Sequence, residues 1–133
     1  MSSKRRKYEK LCRRICSGFR IRAIRYLDDL GLNEPHADVL VITQSSYDFL
    51  IEFTGRLNAK DEIKKIEASY QYLSNKGDVK ISRVVPVIHK SGKLHPLERD
   101  YVKTQKVNGL PILLMNCQQK LSDLILPRQP GSK

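Results

Sequence analysis

One stretch, Asp38 to Tyr72, restricts the fold more than any other part of this 133-residue chain. Val39 to Thr43 is a short, β-branched apolar run suited to a buried strand. Gln44-Ser45-Ser46 is polar and of hairpin length. Tyr47 to Thr54 reads as a second strand, with Phe49, Ile51 and Phe53 alternating against Asp48, Leu50 and Glu52. Gly55 breaks it. A helix then opens at Asn58 or Ala59, with Asp61 and Glu62 in its first turn, where acids oppose the dipole. Asp38 starts the first strand and Glu52 sits late in the second, so an antiparallel hairpin lays their carboxylates side by side. Such a pair is a usual way to hold a hard divalent cation such as Mg²⁺. The plain alternative is that Asp38 caps a turn and Glu52 faces solvent on an edge strand.

The rest of the chain supplies elements around this hairpin. Tyr8, Leu11, Cys12, Ile15, Cys16 and Phe19 are spaced three and four apart, the pattern of an amphipathic helix. Ile21, Ile24, Leu27 and Leu30 extend that stripe to Gly31, which predicts one long bent helix or two helices divided near Gly18. Asn33 to His36 is a loop, in which His36 is a candidate substrate contact or a histidine without a role. Ala59 to Asn75 is a helix with Ile63, Ile66, Tyr70 and Leu73 on its buried face and Lys60, Lys64, Lys65 and Glu67 exposed. Lys80 to Lys90 is a third strand, and Pro86 marks it as bulged or partly at an edge. A helix over 94–107, a buried strand over 110–115 and a short helix over 117–126 complete the order. Pro127 stops the last helix. This order predicts a three-layer α/β sandwich: a mixed sheet of four or five strands flanked by helices. One domain over 8–127 is expected, with a basic tail or helix entry at 1–7 and a flexible tail at 128–133.

Charge points to the partner. The net charge is +11, and through Arg25 there are ten basic residues against a single acid, Glu9. Lys4, Arg5, Arg6, Lys7, Lys10, Arg13, Arg14 and Arg20 are the candidate nucleic-acid contacts, because a concentrated basic segment is an electrostatic footprint for phosphate. The bland reading is a solvated helix face. No run is long and apolar enough to span a bilayer, no secretory signal is visible, and the basic helix lacks the exposed Trp and Phe that interfacial anchors favour, so no membrane role is expected. Cys12, Cys16 and Cys117 form neither a disulfide framework nor a zinc spacing, and point to a reducing, intracellular setting: cytoplasm, nucleus or a virus-infected host cell.

An Asp, an apolar strand, a turn, an apolar strand ending in Glu-x-Lys and an amphipathic helix carrying Gln and Tyr form the core of the PD-(D/E)XK nuclease superfamily. The first two-thirds of this chain resembles that pattern. Holliday-junction resolvases and restriction-endonuclease-like enzymes belong to the superfamily. The resemblance implies a restriction-endonuclease-like fold in which Asp38 and Glu52 hold Mg²⁺ or Mn²⁺, Glu9 is the accessory N-terminal Glu, and Gln71 is the helix Gln. Glu52-Phe53-Thr54 departs from the pattern, because Thr54 stands where the family has a Lys that orients the attacking water and neutralises phosphate charge. Some members have moved that basic residue. Arg56, two residues on, and Lys64 or Lys65 on the next helix are the replacements within reach, with Arg56 and Lys64 taken as the catalytic candidates. The expectation is a nucleic-acid-binding protein, DNA ranked ahead of RNA, acting as a divergent metal-dependent nuclease with a homodimer as a candidate assembly. The alternatives are an inactive nuclease-like module that binds nucleic acid, or an adaptor for an acidic protein partner.

Overall fold

A computed structural model of the chain describes residues 3–56, 58–77 and 79–125. The first helix, α1, spans Ser3–Ile15. It starts inside the segment expected as a tail or helix entry, and Gly18 in a left-handed conformation (φ 97°) follows its end. The apolar stripe beyond is not helical, and this corrects the expectation of a continuing helix: Ile21–Tyr26 is a strand, β1, and Leu27–Leu30 is a 3₁₀ turn. Side chains three apart eclipse one another in a 3₁₀ turn, so Leu27 and Leu30 mimic a helical stripe. A register shift between Ile21 and Ala23 obscures the strand's alternation. Gly31 does act as the stop, with φ 78°, but it closes the 3₁₀ turn.

β2 (Val39–Thr43) and β3 (Asp48–Thr54) form the expected antiparallel hairpin. α2 runs Ala59–Lys76, capped by the Asn58 side chain at its start and by Gly77 (φ 73°) at its end. A 3₁₀ turn at Ile81–Arg83 precedes β4 (Val84–Lys90), which lies parallel to β3. β4 is central, but its other neighbour pairs only from Val87 onward, so Pro86 costs no bond on that side. α3 covers Pro96–Lys103, shorter than expected. The next residues form a small ribbon, β5 (Lys106–Val107) and β6 (Leu110–Pro111), turned at Asn108 and Gly109 with φ 52° and 77°. β7 (Leu113–Asn116) adds to β4 in parallel. The helix expected over 117–126 is instead a turn and a 3₁₀ segment, Leu121–Asp123. The tail at 128–133 and the stop at Pro127 lie outside the described residues.

The fold is α/β, with a mixed five-stranded sheet in the order β1-β2-β3-β4-β7. Alternation along β2, β3 and β4 feeds two separate cores. On one face Val39, Val41, Phe49, Ile51 and Val87 pack under Cys12, Ile15 and Phe19 from the α1 region. On the other, Leu40, Leu50 and Ile88 pack under Ile63, Ile66, Tyr70 and Leu73 of α2, with Val102 of α3. Cys12 and Cys16 are buried core residues, as their spacing predicts. Among the described residues no helix is long and apolar enough to cross a membrane.

Candidate active site

Asp38 is pinned just before β2 begins. Its N–H donates to the Ile51 carbonyl (3.1 Å), and its own carbonyl accepts from Leu27 N–H (3.1 Å). Its Oδ2 accepts from Phe53 N–H at 2.7 Å, which turns the carboxylate back across the end of β3. Glu52, one residue earlier on β3, shares the α2 face with Leu50 and is only 3 % exposed. The first turns of α2 complete the cluster. Lys65 Nζ donates to Glu52 Oε2 at 3.1 Å and lies 3.5 Å from Glu62 Oε1, one turn away on its own helix. Ser69, a further turn along, accepts from Ala37 N–H and donates to the Lys65 carbonyl, both at 2.8 Å. This buried hydroxyl ties α2 to the residue before Asp38.

The electrostatics follow from burial. Glu62 is 5 % exposed, so two carboxyl groups leave water with one ammonium between them. Burial, then the neighbouring Glu62 and Asp38, push the Glu52 carboxyl well above its ordinary value. Burial also raises Asp38, against the pull of the Phe53 N–H and the Glu52 carboxyl. For Lys65, burial favours the neutral amine, but the bond to Glu52 outweighs it and the net shift is upward. Glu52 Oε1 and Glu62 Oε2 are buried with no hydrogen-bond partner. On the other side of Asp38, Tyr8 stacks on Phe53 with ring centroids 4.8 Å apart, and burial and the field of Asp38 push its phenol upward. A cleft of about 460 Å³ opens beside the cluster, lined by Glu34, Pro35, Glu62, Lys64 and Lys65 among others.

The sequence candidates divide. Asp38 and Glu52 come together as expected. Glu62, Lys65 and Ser69 were not singled out as a set, although positions 62, 65 and 69 fall on one helical face. Lys65, expected on the exposed face, is half-buried against Glu52, while Lys64 is exposed on the cleft wall. Arg56 is exposed beyond β3. The Thr54 hydroxyl donates to the Arg56 carbonyl (2.9 Å). Glu9 pairs with Arg13 at 3.3 Å, and no contact joins it to Asp38 or Glu52 among the described residues. Gln71 is exposed in a separate cleft with Tyr70 and Ser74, away from Lys65. His36 is a loop clamp: Nδ1 donates to the Glu34 carbonyl (2.9 Å) and Nε2 meets Asp28 Oδ1 (2.7 Å).

The basic residues of α1 are partly engaged. Arg5 pairs with Asp29 and lies over the Tyr26 ring at 4.8 Å. Lys4 lies over Tyr8 at 5.6 Å, and Arg14 donates to the Cys117 carbonyl. Arg6, Lys7 and Lys10 are exposed. Arg20 is not on the helix: it stands before β1 with φ 51°, its carbonyl accepting from Gln44 N–H.

Among the described residues, no group of three or more His, Cys, Asp or Glu is arranged to hold a metal ion. The Asp38–Glu52 pair offers oxygen donors of the kind a hard cation takes, among them the orphaned, buried Glu52 Oε1. Compared with known proteins, the chain matches no family model, no curated protein and no solved structure.

Proposed function

We propose that the protein binds nucleic acid and hydrolyses its phosphodiester bonds at the Asp38–Glu52 pair, with Lys65 in the role of the lysine absent at Thr54. The observation that carries this reading is the 3.1 Å contact that holds the Lys65 ammonium on Glu52, beside Asp38, at a cleft. A second support is the order of elements: a helix, three strands paired antiparallel in sequence, a helix, and a strand parallel to the third. It agrees with a restriction-endonuclease-like fold.

Lys65 keeps donor capacity beyond its bond to Glu52, because an ammonium carries three N–H groups. A free N–H aimed at a non-bridging phosphate oxygen stabilises the charge that builds there in the transition state. Asp38 is held by the Phe53 N–H, so its second oxygen keeps a fixed direction. Asp38 and Glu52 would hold Mg²⁺ or Mn²⁺, which supplies polarisation of the phosphodiester and activation of water. Glu52 must lose its proton to become a ligand, so cation binding would release a proton and strengthen as pH rises. In the balanced reaction, water oxygen bonds to phosphorus, the P–O bond to the leaving sugar oxygen breaks, and one water proton ends on that oxygen.

A second reading is a binding module that no longer cuts. Thr54 favours it, as does the use of Lys65 to neutralise buried acids. The test mixes purified protein with labelled linear, branched and single-stranded DNA and with RNA, in Mg²⁺, Mn²⁺ or EDTA. Metal-dependent cutting that disappears in Asp38→Asn and Lys65→Met supports the nuclease. Tight, salt-sensitive binding without cutting in either metal supports the module. Absence of both binding and cutting rejects nucleic acid as the partner.

A further inference from the structure

The charge concentrated before Arg25 does not lie on one helix. Arg20, Arg22 and Arg25 belong to β1 and its approach, and β1 is an edge strand of the sheet among the described residues. At this edge a cleft of about 370 Å³ is lined by Arg22, Arg25, Lys80 and Arg83, with Ile42 and Asp48 among its other walls. Its acid is already neutralised. Arg83 Nε meets Asp48 Oδ2 at 3.0 Å, and the same guanidinium donates to the carbonyls of Thr43 and Ser45. Arg22 and Lys80 are exposed, and no side-chain hydrogen bond or ion pair engages them among the described residues. The register shift between Ile21 and Ala23 sits where Arg22 leaves the strand.

The position matters as much as the charge. Ile42 packs into the α2-side core, and Val79 and Lys80 follow α2, so this cleft shares the α2 face with Glu52 and Lys65. α1 packs on the opposite face and comes near Asp38 at Lys4, Tyr8 and Cys12. Asp48 and Glu52 are four steps apart along β3, about 13 Å at ~3.3 Å per residue.

We propose that the Arg22–Arg25–Lys80 cleft is a second phosphate-binding site, which grips the backbone of nucleic acid away from the bond held at Glu52. The inference rests on the nucleic-acid reading above. Its partner is the sugar-phosphate chain, held by charge without reading bases.

The test measures the affinity of the full chain for a labelled 25-base-pair DNA duplex across a series of KCl concentrations. The wild type is compared with Arg22→Ala/Lys80→Ala, and with Lys103→Ala/Lys106→Ala, which removes the same charge at exposed positions elsewhere. The expected result is that the first pair lowers the slope of log affinity against log salt by about two, while the second leaves it near the wild-type value. An unchanged slope in the first pair overturns the inference, and so does an equal fall in both pairs. A wild type that binds no duplex at any salt concentration refutes the nucleic-acid reading itself, which separates the two failures.

Discussion

Replacing Glu52 with Gln keeps the volume and shape of a side chain that is 3 % exposed and removes its ability to ionise. In the folded protein the Glu52 carboxyl is held above its ordinary value of 4.5. The native state therefore keeps its proton at pH values where the unfolded chain gives it up. Stability from this group is fully present below about pH 4.5 and is lost as pH rises through the folded value. Each pH unit between the two is worth ~1.4 kcal/mol, so the loss between pH 5 and pH 8 is on the order of a few kcal/mol. For a chain of this size each kcal/mol corresponds to a fall in melting temperature of roughly 3–4 °C. His89 has the opposite sign. Burial, then Arg14, lowers its pKa, so its contribution is lost as pH falls below its ordinary value of 6.5. The useful quantity is therefore the difference between wild type and Glu52→Gln, in which the His89 contribution cancels. The assay is thermal unfolding followed by circular dichroism in EDTA at half-unit steps of pH. Glu52→Gln is expected to gain on the wild type steadily from pH 5 to pH 8. A difference that stays flat over that range refutes the argument that Glu52 is a buried, protonated member of the cluster. With millimolar Mg²⁺ added at pH 8, the wild type should regain melting temperature and the variant should not.

Other expectations follow from single contacts. Lys65→Met should abolish cleavage and leave duplex affinity nearly unchanged; cleavage that persists would remove Lys65 from the mechanism. Ser69→Ala leaves the Ala37 N–H unpaired, and should cost about 1–3 kcal/mol in urea unfolding. Ile66, fully buried on the sheet-facing side of α2, should cost about 2–5 kcal/mol when truncated to Ala, and a loss under 1 kcal/mol would contradict its place in the core. Asp38→Asn keeps an oxygen for the Phe53 N–H, so it should lose cleavage while melting within a few degrees of the wild type.

The central hairpin and α2 were legible because their signals are local. β-branched runs, a polar turn, Gly55 and an Asn58 cap each act within a few residues, and the structure places those elements to within a residue or two. The segment over 21–30 was misread because two different periods overlap there. A bulged strand followed by a 3₁₀ turn repeats every third residue, as a helix nearly does, and only pairing with β2 distinguishes them. The final segment failed similarly: Leu121 and Ile125 satisfy a helical spacing, but their neighbours are used in turns.

Sequence by itself determined the two-sided alternation that makes a buried sheet with helices on both faces, and the convergence of Asp38 and Glu52, because a short hairpin leaves those positions no other register. Tertiary structure decided which cation meets them. Arg56, Lys64 and Lys65 lie within a few residues of one another in sequence, and the pitch of α2 together with its docking through Ser69 brings Lys65 alone to Glu52. It likewise decided that the basic segment divides between two faces of the sheet, since whether Arg22 continues a helix or leaves it depends on a strand that lies twenty residues further along the chain.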